Sequence, residues 1–374
     1  MPSVPTCPVV AATDCSGMET PIMALTNLGV NMRHAFSCDV CPHVKTTIEA
    51  NFPPNVFYDD LTKRDNSTAP KADIYIAGFP CQSFSSAGKQ QGFEDTLGRG
   101  QIFWYVRDYL QQQSPRVFVL ENVKGLASTK GGGCLRAILD SLEGLGCYNI
   151  YHQLLNTKEH GIPQSRARMY FVGIKKSHDD KTFAFPAALP ADKRPSIEAF
   201  LDPRLGRPSR QDLPPKSAGN ARYNVINQLK ELELKGSNPL KEPWIIDIDS
   251  TPAWVTRMLG QMPCMTRSRG KGHWVSNRGR RVNKNEMMRC QGIDATTFKV
   301  AVSPTQLGAQ IGNAMSVNIL ERLFCRILPA AKLVAHGAVF DRWASGKPPA
   351  QFTGARAKRT ADSIAASARK RARA

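Results

Sequence analysis

Acidic residues are in short supply in this chain. Its 31 Asp and Glu face 50 Lys and Arg, leaving a formal net charge of +19. Also missing is any run of about 18 apolar residues, so no segment is expected to cross a membrane as a helix. The opening stretch "MPSVPTCPVVAATDCSG" lacks a charged region followed by a long apolar one and a cleavage site, which argues against secretion. Cys38 and Cys41 form one C-x-x-C, but no second pair has the spacing a four-ligand zinc site needs, so no metal is expected. The ten cysteines are scattered, as reduced thiols of an intracellular protein are. No internal repeat is visible, which sets repeat architectures aside.

What is present is enough for a sizeable core: 374 residues, 41% of them apolar, with a length that suggests two domains and a tail. A pI near 9.7 points to a polyanionic partner, nucleic acid first. The chain alternates short apolar runs with helical spacings. "VVAAT", "HAFSCDV", "ADIYIAGFP" and "PRVFVLENV" read as strands, with helices between them, and "YNIYHQLLN" and "RMYFVGI" follow as further strands. This alternation predicts an open, mostly parallel α/β sheet whose ligands sit at the carboxyl ends of its strands. From about Lys175 the texture changes, with seven prolines between Pro186 and Pro215. Nine Lys/Arg stand against one acid, Glu286, between Arg257 and Arg289. "SPTQLGAQIGNAMSVNILERLFCRIL" reads as one strong amphipathic helix. The last 23 residues hold seven basic residues and Asp362, with no aromatic beyond Phe352, and read as disordered.

Four constellations carry chemistry. The first is the turn Asp14-Cys15-Ser16-Gly17-Met18-Glu19-Thr20-Pro21 between a strand and a helix, either an ordinary tight turn or a cofactor cradle. It lacks a full G-x-G-x-x-G and so suits a pyrophosphate poorly. Glu19 would repel phosphate but could face an ammonium group, Asp39 ends the second strand where a ribose is held, and Asp60 could accept from an adenine amino group. That pattern favours S-adenosylmethionine over a dinucleotide. The second is Cys81 in "GFPCQSF", either a core thiol or a nucleophile at a sheet's mouth. The third is Glu121 closing the run "VFVL", a helix-capping acid or a proton donor. The fourth is Arg166 and Arg168, alternating and thus on one side of an extended segment, which suits a solvated edge or the binding of a carbonyl oxygen.

Together these stretches resemble the cytosine-5 DNA methyltransferase family, over about residues 9–175 and 275–330 in unpermuted order. "AGFPCQSFSSAGKQQGF", "ENVKGL", "HGIPQSRARMYFVGI" and "QIGNAMSVNIL" carry the resemblance. It implies a Rossmann-like S-adenosylmethionine-dependent methyltransferase sheet with a smaller, irregular target-recognition domain. It also implies that Cys81 attacks C6 of a flipped-out cytosine in duplex DNA, that Glu121 holds the ring nitrogen, and that Arg168, with Arg166, holds the ring oxygen side. By similarity Ser16, Gly17, Met18 and Glu19 surround the methionine part of the cofactor. Asp39 takes the ribose and Asp60 the adenine, while Asn313 and Ala314 complete the pocket. The first motif departs from the family: Cys15 stands where a large residue usually packs, and Glu19-Thr20 replace a glycine pair.

The expected divisions are 1–176 and 286–342 for the catalytic domain, 177–285 for target recognition and 343–374 for a basic tail. Gln82, Ser85 and Lys89 in the loop after Cys81, and Arg267, Arg269, Lys271, Arg278 and Arg280 in the basic run, are the expected DNA contacts, to bases or to phosphates alone. The tail pairs "AKRT" with "ARKRAR", an import-signal pattern, so the nucleus is expected in a eukaryote and the cytoplasm otherwise. A monomer is expected. Two alternatives stand beside the main reading. One is a tRNA cytosine-5 methyltransferase, faintly suggested by Cys264-Met265-Thr266. The other is an inactive DNA-binding relative.

Overall fold

The computed structural model describes residues 7–80, 99–204, 206 and 208–352. Seven strands form the main sheet: β1 (Val9–Asp14), β2 (Met32–Cys38), β3 (Val56–Tyr58), β4 (Ile74–Ala77), β5 (Val117–Val123), β6 (Tyr148–Asn156) and β7 (Ala167–Lys175), in spatial order β3-β2-β1-β4-β5-β7-β6. The first five run parallel, while β7 is antiparallel to both β5 and β6. Strand order reverses at β1, which has β2 on one side and β4 on the other. A crevice opens there, at the carboxyl ends. Both faces of the sheet are covered, so its strands read as continuous apolar runs rather than alternating ones. In β5, Val117 and Val119 enter one core while Phe118 and Leu120 enter the other.

Helices α1 (Thr20–Asn27), α2 (Pro42–Asn51), α3 (Ile102–Gln113) and α4 (Gly133–Glu143) connect the strands. α1 and α2 each carry Pro in the first turn, where the missing N–H costs nothing. The second sheet is small and antiparallel, ordered β11 (Arg280–Arg281), β10 (Trp274–Val275), β8 (Trp244–Ile246) and β9 (Arg257–Leu259). Helix α5 (Gly219–Leu234) lays Ala221, Val225 and Leu229 on Ile246, Ile248 and Trp274 of this unit. The chain returns to the main body through α6 (Lys284–Arg289), α7 (Pro304–Asn313) and α8 (Val317–Ala330).

Three expectations change here. The short edge strand β3 lies in a stretch with no strand signal of its own. The single helix expected over the late amphipathic run is two helices, because Ala314 adopts extended backbone (φ −60°, ψ 145°). The carbonyls at the break find partners elsewhere: Gly312 O and Ala314 O accept from the Arg166 guanidinium, and Ala314 O also accepts from Gln291 Nε2. The expected tail from 343 begins too early. Trp343 and Phe352 are buried and stack at 5.3 Å, and Trp343 Nε1 donates to Glu321 Oε2 of α8 at 2.7 Å. At this end of the chain, residues 353–374 lie outside the described residues.

Two glycine sites set close approaches. A Cβ on Gly161, at φ +100°, would stand 2.8 Å from the Trp343 ring. On α7, a Cβ on Gly312 would stand 2.3 Å from the Thr266 carbonyl and one on Gly308 2.1 Å from Gly270 O, so the helix rests backbone-on-backbone against the turn Arg267–Arg269.

Beside Trp343, Arg322 links Asp341 (2.7 Å) to Nδ1 of buried His160 (2.6 Å). The guanidinium donates, so this ring nitrogen accepts and His160 is neutral. Burial, and then Arg322, push its pKa down to about 3. A histidine depressed in the native state leaves stability intact above its ordinary pKa and removes it progressively as pH falls toward the native one. Unfolding free energy should therefore decline below about pH 6.5, by at most about 1.4 kcal/mol per pH unit from this residue. Urea titrations of wild type and His160→Gln between pH 7 and 4 should show that component missing in the variant. Trp343→Ala should cost about 3–5 kcal/mol by urea unfolding at neutral pH; a loss within error would mean that the segment is not part of the cooperative fold.

Candidate active site

The crevice begins with the turn after β1. Cys15 (φ 51°), Gly17 (φ 56°) and Glu19 (φ 55°) are all left-handed, and for Cys15 and Glu19 that conformation costs energy a glycine would not. Ser16 holds the turn to β2: its amide donates to Cys38 O at 3.0 Å, and its hydroxyl accepts from Cys38 N at 3.0 Å. Gly17 N donates to Asp39 Oδ2 and Cys41 N to Asp39 Oδ1, both at 3.0 Å. Burial pushes the Asp39 carboxyl up, against those two amides. Val40, 73% exposed, follows directly.

Beneath the turn, Asp14 is buried and takes both terminal nitrogens of Arg64, at 2.7 and 2.6 Å, plus the Tyr75 hydroxyl at 2.5 Å. The Arg64 guanidinium lies 4.7 to 5.3 Å from the ring centres of Phe36, Tyr58 and Tyr109. A planar, always-charged group fits such a cage, where a lysine would not.

The far wall comes from β5 and β7. Their antiparallel register pairs Glu121 with Tyr170 and Val123 with Arg168. Glu121 and Arg168 are thus diagonal neighbours on one face of the sheet. Arg168 Nε lies 3.0 Å from Glu121 Oε1. Asn122 Nδ2 donates to Phe79 O at 3.2 Å, holding the end of β5 beside the exit of β4. The described chain stops one residue later, at Pro80, so Cys81, Gln82, Ser85 and Lys89 lie outside the described residues.

The crevice lies among Asp14, Cys15, Ser16, Gly17, Gly78, Glu121, Asn313 and Ala314, with roughly 350 Å³ of empty space. A Cβ on Gly78 would stand 2.8 Å from Met315 Cε and 3.7 Å from Glu121 Oε2 and fill the crevice's floor. Among the described residues the lining carries two carboxylates, Asp14 and Glu121, both ion-paired, and no Lys or Arg. A pyrophosphate would meet no cation in this lining, and Ser16, Thr20 and Asn313 suit a small polar ligand end instead. The break between α7 and α8 is what brings Asn313 and Ala314 to the lining.

Several expected residues have partners within the protein. Glu19 is fully buried, and its Oε1 accepts from Thr13 Oγ1 at 2.6 Å and Ser37 Oγ at 2.5 Å, away from the crevice lining. Met18 puts its side chain into the core, leaving only backbone to the turn. Asp60 caps the 3-10 turn Leu61–Lys63; its bonds from the Thr62 hydroxyl (2.7 Å) and amide (2.9 Å) hold its carboxyl below the usual range. Arg166 does not pair with Glu121. It is buried and donates to Met265 O, Gly312 O and Ala314 O at 2.7, 3.1 and 2.7 Å. It fastens the segment at Met265 and the helix break to the sheet.

The basic run is largely paired internally. Arg269 takes Asp247 (2.8 Å), Arg278 takes Glu198 (2.7 Å) and Arg280 takes buried Glu286 (2.7 Å). Arg267 and Lys271 are exposed and have no ion-pair partner among the described residues. Residues given no site role from sequence are Arg64, Tyr75, Asn122 and Cys264, the last named only within the triplet Cys264-Met265-Thr266; its sulfur touches both Arg166 and Arg168 at 3.8 Å. Arg64 carried no signal, being one basic residue in "LTKRD". Asn122 lay inside a quoted motif.

A family model described as C-5 cytosine-specific DNA methylase matches residues 15–328. The chain is 33% identical over 307 residues to the type II methyltransferase M.NgoBI of Neisseria gonorrhoeae, spanning 80% of this chain and 88% of that one. It is 32% identical over 323 residues to M.HpaII of Haemophilus parainfluenzae, spanning 82% and 85%. Its fold matches the S. pombe Dnmt2 methyltransferase with TM-score 0.57 at 17% identity and the Entamoeba histolytica methyltransferase EhMeth with 0.60 at 16%, each over 86% of this chain and 98% of the other. At that identity the likeness is one of fold alone. The two relatives aligned by sequence are bacterial and lend the nuclear expectation no support. No helix among the described residues is long and apolar enough to cross a membrane, and none of their His, Cys, Asp and Glu clusters suits a metal ion. The chain belongs to the C-5 cytosine-specific DNA methylase family and is a DNA (cytosine-5-)-methyltransferase.

Proposed function

We propose that this enzyme uses S-adenosylmethionine, held in the β1–β4 crevice, to methylate C5 of a flipped-out cytosine by way of a Cys81 adduct. The observation that carries the reading is the Glu121–Arg168 pair at the crevice wall, 3.0 Å apart and next to the exit of β4. When bound, the cofactor supplies an electrophilic methyl group. Ser16, Gly17, Asn313 and Ala314 would hold its amino-acid end. Asp39 and Asp60 would hold its ribose and adenine, and Val40 supplies an apolar surface beside them. Turned into the protein, Glu19 supports the turn from below.

The Cys81 thiolate attacks C6 of cytosine, and the electron pair of the C5–C6 double bond shifts toward C5. Glu121 holds the proton at ring nitrogen N3, and Arg168 faces the ring oxygen, so charge developing on the ring meets fixed partners. After C5 gains its methyl group, the C5 proton leaves to a base and the C6–S bond breaks, which restores the aromatic ring. Extrusion of the base from the duplex costs about a few kcal/mol. Arg166 acts on this site through the backbone it holds. The bacterial relatives support a cytoplasmic setting.

Purified enzyme incubated with tritiated S-adenosylmethionine and duplex DNA should place label in 5-methylcytosine, and Cys81→Ser should place none. Label in tRNA alone would move the substrate to RNA, and label in neither would overturn the reading.

DNA contact by the basic run should rest on Arg267 and Lys271. Alanine at either should lower the slope of log K against log salt by about 1. Arg280→Ala should leave that slope alone and instead cost stability, about 1–3 kcal/mol once its partial exposure is discounted. Filter binding across salt concentrations and urea unfolding separate the two outcomes.

A further inference from the structure

Cys264 lies between β9 and the turn Arg267–Arg269, at the root of the small sheet's return to the main body. Its Sγ stands 3.8 Å from Arg166 Nη1 and 3.8 Å from Arg168 Nη2. Arg166 is buried and donates to three carbonyl oxygens, and no carboxylate among the described residues pairs with it directly. Glu121 Oε1 stands 3.0 Å from Arg168 Nε and attracts Arg166 at longer range. A buried cation without a direct counter-charge is costly.

We propose that Cys264 is the counter-ion of this arginine pair and, through it, a positioning residue for Arg168 against Glu121; the proposal rests on the catalytic reading given above. Burial opposes a charge on the Cys264 sulfur, but Arg166 and Arg168 outweigh it and hold the thiol below its ordinary range. The other titratable groups around it are Glu121 on β5, Tyr170 on β7 and His273 on the approach to β10. Burial pushes Tyr170 up and His273 down, so neither changes charge near neutrality. With the thiol ionised, Arg168 is drawn between two anions and fixed on the face of β7 that Glu121 shares. With the thiol neutral, the two cations repel each other and Arg168 loses the pull of the second anion.

The test has one arm that needs no activity. The ultraviolet absorbance of the thiolate is followed with pH in Cys81→Ser, and the trace of Cys81→Ser/Cys264→Ala is subtracted. The difference should appear with a midpoint below the ordinary thiol value of about 8.5. A midpoint at or above that value overturns the proposal whatever the enzyme's activity.

The second arm uses the enzyme with Cys81 intact. Cys264→Ala should lower kcat about tenfold, equivalent to one 1.36 kcal/mol step in barrier, with KM for S-adenosylmethionine unchanged. Cys264→Asp restores the charge and should recover kcat to within about threefold, with the acid limb of its pH profile moved down toward the carboxylate range. Wild-type kcat in the alanine variant, or an inactive but folded aspartate variant, overturns the proposal. Should the alanine variant fail to fold, Cys264→Ser supplies both readouts. If wild-type enzyme transfers no methyl group while the low midpoint persists, the catalytic reading fails and the counter-ion assignment stands.

Discussion

The buried pair of Asp14 and Arg64 is the constraint on which the cofactor crevice depends. Asp14 ends the central strand, at the point where strand order reverses, and the left-handed turn springs from it. Its charge is tolerated because Arg64 meets it with two parallel hydrogen bonds, Tyr75 adds a third, and three aromatic rings enclose the guanidinium. A pair so enclosed contributes little net stability over an apolar substitute, but removing one partner strands the other. Its importance is geometric. Arg64 sits four residues after Asp60, so the pair fixes the β3 side of the crevice against the β1 turn. The strained backbone at Cys15 and Glu19 is then held from below, by Arg64 through Asp14 and by Thr13 and Ser37 through Glu19.

Charge has two distinct uses in this protein. The net charge of +19 suits an enzyme that meets a polyanion, yet the densest basic segment spends most of its arginines inside the protein. Glu198, Asp202, Asp247, Asp249 and Glu286 each take an arginine from residues 269 to 289. The small sheet is short and its apolar core modest, so paired charges carry much of its cohesion. Within that segment, Arg267 and Lys271 are the exposed cations without such a partner among the described residues.

Much of this was legible in the sequence, for identifiable reasons. Strands covered on both faces appear as apolar runs, and β1, β2, β4 and β5 were readable that way. β3 was not, because three residues at a sheet edge, "VFY", leave too short a pattern. The carboxyl-end placement of Glu121 followed from its position after "VFVL". The direction of β7 did not follow, because it depends on the long connection from β6 rather than on any local signal, and without that reversal Arg168 would not lie diagonal to Glu121. Arg166 and Arg168 read as a matched pair; the fold separates their duties, since only one reaches the carboxylate. The helix break at Ala314 was hidden because both halves keep the same amphipathic period, and the acceptors' partners, Arg166 and Gln291, lie far away in sequence. The pairing of the basic run was equally hidden, since most of its acids come from elements up to 87 residues distant.

Gly308 and Gly312 press the backbone of α7 onto the backbone of residues 266 to 270. Contacts between main chains are indifferent to side-chain identity across the joint, except that Gly270 must itself stay small. Side chains along residues 266 to 269 can therefore vary without disturbing the fit, whereas any displacement of that turn is passed directly to α7 and so to Asn313 and Ala314 at the crevice.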